Sequence, residues 1–225
     1  MTNPFSKQTP YGLLQSLYLY AGALDQAEGW ADRLYALRES MMPVFQTSLL
    51  SGIARVKIAC GKLDQARAIL DQMLEEFNWN SSWSHTITLI AIADGYLQLA
   101  LGKPELVFTR WQDQVQQFRA AGFHRDLATE MWLRGKVHLA LEHVDQAKNA
   151  LLEARTVAEG KGERTILWQI LATLSELEEG CGDREAAKKL NDQAREVIET
   201  IAENAGELRD AFLAQPAVAR ILSEN

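Results

Sequence analysis

The chain has 225 residues, a formal net charge of −7, a hydrophobic share of 47% and a charged share of 24%. That length allows one large domain or two small ones with a sizeable core, and the composition excludes global disorder. No apolar run reaches the ~20 residues that a membrane span needs, and the acidic balance argues against direct binding to nucleic acid, which calls for a basic face.

Ala and Leu supply roughly a quarter of the chain, while glycine (14) and proline (5) are sparse. Small and straight-chain helix formers at that density predict an all-α protein. Residues 1–10 lack periodicity and read as a loose lead-in. Leu13 to Leu24 is apolar, but Gln15 and Ser16 interrupt it and Lys7 is the one positive charge before it. It therefore reads as a folded helix rather than a leader. Asn80-Ser81-Ser82 matches a glycosylation acceptor and carries no weight without a secretion signal. Cys60 and Cys181 lie far apart, with no metal or redox spacing. Both features predict a cytoplasmic protein in a reducing compartment.

Five stretches align without gaps: Tyr20-Ala-Gly-Ala-Leu-Asp-Gln-Ala27, Ala59-Cys-Gly-Lys-Leu-Asp-Gln-Ala66, Ala100-Leu-Gly-Lys-Pro-Glu-Leu-Val107, Ala140-Leu-Glu-His-Val-Asp-Gln-Ala147 and Gly180-Cys-Gly-Asp-Arg-Glu-Ala-Ala187. Their third residues, Gly22, Gly61, Gly102, Glu142 and Gly182, are 39, 41, 40 and 40 positions apart. A period this regular marks a helical repeat. The glycine suits a helix end, where a left-handed residue closes the turn. The acidic residue three positions later (Asp25, Asp64, Asp145) complements the free N–H groups of the next helix. The Ala five positions after the glycine marks a close crossing of paired helices. Seven positions before it lie Ala54, Gly95, Gly135 and Ser175, four small residues at one phase, whereas the first unit has Gln15 there.

Five helix hairpins follow. Their first helices fall near Tyr11–Ala21, Val44–Cys60, Ser84–Leu101, Arg125–Leu141 and Glu163–Glu179. Their second helices fall near Leu24–Ser40, Leu63–Phe77, Pro104–Ala120, Val144–Glu159 and Arg184–Ala205. The repeats span about 11–40, 42–78, 82–121, 124–160 and 163–205, forming one repeat domain over 11–206. Asn78 to Ser82 and Gly160-Lys161-Gly162 read as turns between hairpins. A short helix near Glu207–Ala214 and a last apolar turn at Ala217–Leu222 form a cap over the final hairpin, with a tail to residue 225.

This pattern of helix, Gly, acidic start, Ala and second helix resembles the tetratricopeptide repeat, in a lengthened form of about 40 residues rather than ~34. The tail Glu207-Leu208-Arg209-Asp210-Ala211-Phe212-Leu213-Ala214-Gln215-Pro216-Ala217-Val218 resembles the closing segment of repeat regions in bacterial regulatory ATPases, nucleotide cyclases and transcription activators. The resemblance implies a right-handed α-solenoid with a concave groove lined by the first helix of each hairpin. By phase, that groove holds Arg55 and Lys136 at its flanks, Tyr96 and Trp132 between them, and Gln169 beside them. Cations and amphipathic aromatics at one phase suit a peptide with an acidic segment or terminus. The expected function is thus a non-enzymatic scaffold, adaptor or sensory module of a regulatory system, without cofactor or metal. The alternative is a self-assembling unit, such as a homodimer, that pairs through the apolar first helix with Leu13, Leu14, Leu17, Tyr18, Leu19 and Tyr20.

No catalytic constellation stands against this reading. The Gly-x-Gly pairs at 160–162 and 180–182 follow helices and lack the Gly-Lys-Ser/Thr ending of a phosphate loop. His85, His124, His138 and His143 form no helical zinc spacing. Glu176, Glu178 and Glu179 read as a solvated helix end, and Cys60 and Cys181 as buried small hydrophobes. Trp30, Trp79, Trp83, Trp111 and Trp168 read as fillers between hairpins, with Trp79 and Trp83 packing across a turn.

Overall fold

The computed structural model describes residues 5–40, 43–76, 84–107 and 126–223. Among them the secondary structure is entirely helical. It divides into two compact units, residues 1–125 and 126–225.

The first unit contains α1 (Phe5–Tyr20), α2 (Leu24–Leu37, followed by a 3-10 turn Arg38–Ser40), α3 (Pro43–Ala59), α4 (Leu63–Glu76) and α5 (Ser84–Ala100). Helices α1 and α2 pair, as do α3 and α4, and α3 packs in turn on α2 and α5. The core is built from Ala27, Ala31 and Leu34 of α2, Leu50, Ile53, Ala54 and Val56 of α3, Ala66, Leu70 and Met73 of α4, and Ile90, Ala93 and Leu97 of α5. A helical turn at 105–107 follows Pro104. The rest of the helix expected over 104–120 lies outside the described residues, as do the turn at 78–82, Trp79, Trp83 and Trp111.

The second unit contains α6 (Leu127–Ala140), α7 (Val144–Lys161), α8 (Arg164–Gly180) and α9 (Arg184–Asn204), then a 3-10 turn (Gly206–Leu208) and two short helices, α10 (Arg209–Leu213) and α11 (Pro216–Ser223). Helix α6 pairs with α7, α8 pairs with α9, and α7 packs on α8. The last two helices lie on α9. Phe212, Val218 and Ile221 are buried with Trp168, Ala194, Ile198 and Ala202, and the Trp168 and Phe212 rings meet edge to face at 6.5 Å. The tail thus covers apolar surface of α9, as expected of a cap. No helix among the described residues is long and apolar enough to cross a membrane.

Each hairpin turns in the same way. Gly22, Gly61, Gly102 and Gly182 have φ between 67° and 87°, and Glu142 takes the same place at φ 59°. Two backbone hydrogen bonds close each turn. The residue after the left-handed one donates to the carbonyl five positions earlier: Ala23 to Tyr18 (2.9 Å), Lys62 to Lys57 (2.8 Å), Lys103 to Gln98 (2.9 Å), His143 to His138 (2.8 Å) and Asp183 to Glu178 (2.9 Å). The left-handed residue itself donates three back, as Gly22 does to Leu19 (3.1 Å) and Glu142 to Leu139 (3.0 Å). These bonds satisfy carbonyls that a helix end leaves free. Gly162 (φ 68°) closes the α7–α8 turn by the same scheme.

The small residues meet where the helices cross. A Cβ on Gly135 would stand 2.6 Å from Cγ and Cδ2 of Leu151 and 3.5 Å from the Ala147 carbonyl, and the Ser175 hydroxyl donates to the Ala187 carbonyl at 2.8 Å. The slot seven residues before the turn thus faces the Ala five residues after it. Ala27, Ala66 and Ala147 are fully buried, as that crossing requires. In the first hairpin Gln15 is buried, and its side chain reaches Gly52 of α3.

Three expectations need correction. Helix α1 begins at Phe5, so the stretch read as a lead-in is largely helical. Pro10 lies early in that helix, where the missing N–H removes a single backbone bond. Asp25 and Asp145 lie in the first turn of their helices, as expected, with Ala23 and His143 at the N-cap positions. Their carboxylates act on the helix dipole, and Asp183, next to Gly182, is a true cap, accepting from the Ala186 N–H at 3.0 Å. Cys181 is exposed and Cys60 only half-buried, because a helix end at a hairpin tip faces solvent. Finally, Glu178 is buried and paired with Lys148 at 2.6 Å, so the acidic helix end is not simply solvated.

That last pair has a counterpart of opposite polarity. Lys57, buried in α3, donates to Glu28 (2.6 Å) and Asp32 (2.8 Å) of α2, and Lys62 donates to Glu28 at 2.6 Å. Glu28 and Lys148 both lie six residues after their turn, and Lys57 and Glu178 both lie four residues before theirs. The same contact, second helix to next first helix, is therefore made as Glu–Lys in one unit and as Lys–Glu in the other. Burial pushes the Lys57 ammonium pKa down, but the hydrogen bonds to Asp32 and Glu28 outweigh it and hold it above its ordinary value. The hydrogen bonds from Lys57 and then Lys62 hold the Glu28 carboxyl below its ordinary value.

Because the folded-state pKa of Glu28 is depressed, its contribution to stability is present above its ordinary value of 4.5 and is lost as the pH falls through the lower folded value. Urea melts of Glu28→Gln should therefore differ from wild type at pH 7, with the difference closing toward pH 3. Gly135→Ala should destabilise by roughly 1–3 kcal/mol, because the new methyl meets buried Leu151. Gly160→Ala, in a helix with nothing within 4 Å of the new Cβ, should stabilise by up to about 1 kcal/mol. Glu142→Gly should also stabilise, by about 1 kcal/mol, by relieving the one left-handed non-glycine among these hairpin turns.

Candidate functional site

The sequence points to one phase of the first helices, six residues before each turn, and the two units hold its cations in separate settings. In the first unit, α3 presents Arg55. Its guanidinium lies 5.6 Å from the Tyr20 ring centroid and 5.0 Å from that of Tyr96, and it contacts the Tyr20 hydroxyl at 3.5 Å. Tyr20 comes from the end of α1 and Tyr96 from α5, so three successive first helices supply the cluster. Arg55 and Tyr96 are half-buried. Burial raises the Tyr96 phenol above its ordinary value, against the nearby Arg55 charge. Periodicity alone could not add Tyr20, which sits four residues off the phase.

In the second unit, the Lys136 ammonium lies 4.9 Å from the Trp132 ring centroid, one turn along α6. Trp132 is only 5% exposed, and its indole N–H donates to the Thr173 hydroxyl of α8 at 2.9 Å. That hydroxyl donates in turn to the Gln169 carbonyl at 2.7 Å, and the Gln169 side-chain amide donates to the Thr165 carbonyl at 2.9 Å. The ring is therefore fixed in the core as the platform for Lys136 and presents little face of its own. This corrects the expectation that Trp132 meets a ligand directly. Its size and its N–H partner place it inside, because a buried indole needs a hydrogen-bond acceptor and Thr173 supplies one. Lys136 stays exposed. Partial desolvation over the ring lowers its pKa, and the charge of Glu176 opposes this. Glu176 is itself ion-paired with Arg220 of the cap helix α11.

The two cations at this phase, Arg55 and Lys136, thus share one design, each lying over aromatic rings. At the phase four residues earlier, Ser51, Ile92 and Trp132 are buried, and Gly12 and Ala172 are half-buried. Leu89 and Gln169, three residues further back, are half-buried.

Two other features bring polar groups together. A cleft of about 380 Å³ lies among α2, α3 and α4, lined by Asp32, Tyr35, Lys57, Gln65 and Gln72 with Ile53 and Ile69. Its cation, Lys57, is already held between two carboxylates, so it offers a ligand no unopposed charge. The His138 and His143 rings stand 5.8 Å apart, and burial pushes His138 below its ordinary value. Among the described residues no group of three or more His, Cys, Asp or Glu side chains is placed to hold a metal ion.

No family model matches the chain, and no curated protein matches it. Sixteen chains among solved structures do match. One is BtubC (BKLC) from P. vanneervenii, with a TM-score of 0.61 and 15% sequence identity, over 88% of this chain and 91% of that one. At that identity the likeness is one of helical fold.

Proposed function

We propose that the chain is a non-enzymatic protein- or peptide-binding module, a tetratricopeptide-like α-solenoid that docks an acidic segment on the faces of its first helices. The observation that carries this reading is the repeated arrangement six residues before the turn. Arg55 is held by Tyr20 and Tyr96, and Lys136 is held over Trp132. A cation resting on an aromatic ring keeps its charge toward solvent while losing little further side-chain freedom on binding, which suits recognition of carboxylates. In a chain of net charge −7, basic residues kept at this phase in both units favour an acidic partner over a basic one. The 40-residue period and the helical neighbour are consistent with a repeat array, whose extended faces serve as binding surfaces.

The test is titration of a library of acidic peptides, or of a partner captured from the native source, at low and high salt. Affinity should fall as salt rises, because exposed charge pairs are screened over ~8–10 Å. Lys136→Ala should weaken binding and flatten the salt dependence while leaving the melting transition near that of wild type. Arg55→Ala should weaken binding and also lower stability, since it removes contacts to two tyrosines. Unchanged binding in both variants would move the site off these faces.

A further inference from the structure

On the reading of Lys136 as a residue that binds acidic segments, we infer that Glu176 is a built-in competitor for that site and that Arg220 of the cap helix α11 holds it off. Ser16, Arg55, Tyr96, Lys136 and Glu176 stand six positions before the repeat turns, and Glu176 is the one acid among them. It occupies the first helix that follows the one carrying Lys136, and α6 and α8 pack on each other. One turn before these two residues, the Trp132 indole of α6 donates to the Thr173 hydroxyl of α8 at 2.9 Å. That bond fixes the two helices side by side, and both Lys136 and Glu176 emerge exposed beyond it. The Glu176 charge acts on the Lys136 ammonium and favours its protonated form.

The cap sets the position of Arg220. Val218 and Ile221, on either side of it in α11, are buried, and Arg195 of α9 donates to the Ile221 carbonyl at 3.2 Å. Arg220 is thereby presented to α8, where it forms an ion pair with Glu176. A carboxylate already held by one cation attracts a second one less, because the pair has no net charge. With the cap docked, Glu176 is engaged and the Lys136 charge is left to an acidic partner. With Arg220 withdrawn, Glu176 turns its charge on Lys136 and repels an incoming carboxylate. Both members of the pair are about half exposed, at 53% and 52% for the side chains, so water screens them and the control is a tuning of affinity rather than an on–off switch. In the first unit the neighbours of Arg55 at this phase are Ser16 and Tyr96, so the control belongs to the Lys136 site alone.

Two measurements on the full chain test this: titration with a fluorescent hexaglutamate peptide at low salt, and the pKa of the Lys136 side chain followed by NMR. Arg220→Ala should weaken peptide binding about two- to fivefold, the range that an exposed charge pair spans. Arg220→Lys, which restores the charge, should bind as wild type does. Glu176→Gln should strengthen binding. The double variant Glu176→Gln with Arg220→Ala should bind as tightly as Glu176→Gln alone, because Arg220 acts only through Glu176. The Lys136 pKa should rise in Arg220→Ala and fall in Glu176→Gln. A double variant that binds as weakly as Arg220→Ala would make Arg220 a direct contact, or its loss an unseating of the cap, and either result would overturn the proposal. A Lys136 pKa that neither substitution moves would overturn it as well. A peptide that binds Lys136→Ala as tightly as wild type would instead overturn the acid-binding reading of Lys136. The two failures are distinct, because the second leaves the Lys136 pKa still responding to Glu176 and Arg220.

Discussion

The two hydrogen bonds that close each hairpin turn are the constraint on which the rest depends. A helix ends with free carbonyls, and a left-handed residue followed by an inward-pointing N–H satisfies them within two positions. That closure fixes where the second helix starts and at what rotation about its axis. Everything counted from the turn then falls at a set phase, including the small residue seven positions before it, the Ala five after it and, at two of the turns, the cation six before it. Glycine takes the left-handed place at four of the five repeat turns, and Glu142 takes it at the fourth turn in chain order. Glu142 keeps the same backbone bonds as the glycines, so the geometry is imposed by the hairpin rather than by the residue.

From this phase lock come two kinds of contact between neighbouring helices. The first is steric: small side chains where α6 meets α7 and α8 meets α9, with Leu151 filling the space that Gly135 leaves. The second is electrostatic and sits where a second helix meets the following first helix. Glu28–Lys57 and Lys148–Glu178 occupy equivalent places with their charges exchanged. Either polarity fills such a site, because the attraction depends on the pair and not on which helix carries which sign. Lys57 is the more buried case, and its two carboxylate partners offset the cost of removing an ammonium from water.

The aromatic residues do different work from the one that periodicity suggests. Trp132 and Tyr96 have the residue types of a contact surface, yet both serve first as supports. Trp132 is held by Thr173 and carries Lys136, while Tyr96 shares Arg55 with Tyr20. The chemistry offered to a partner is therefore that of oriented cations, with the rings beneath them. Tyr20 joins this cluster from the end of α1, the helix whose opposite turns expose Leu13 and Leu17.

The sequence by itself determined the helical class, the hairpin turns, the phase of the close crossings and the cap, because these depend on local rules. Those rules are a left-handed residue at a helix end, small side chains at a fixed spacing, and an apolar segment after a break. It placed Arg55 and Lys136 at one phase but not their surroundings. Only tertiary structure decided that Trp132 is buried, that Glu178 is paired rather than solvated, that Cys181 is exposed and that Tyr20 belongs with Arg55. Apart from the exposure of Cys181 at a hairpin tip, each of these depends on which side chain arrives from another helix 30–41 residues away in the chain, and the spacing within one helix carries no record of that. The helical start at Phe5 was hidden for a local reason: residues 1–10 carry no apolar periodicity, and Pro10 nonetheless lies inside the helix.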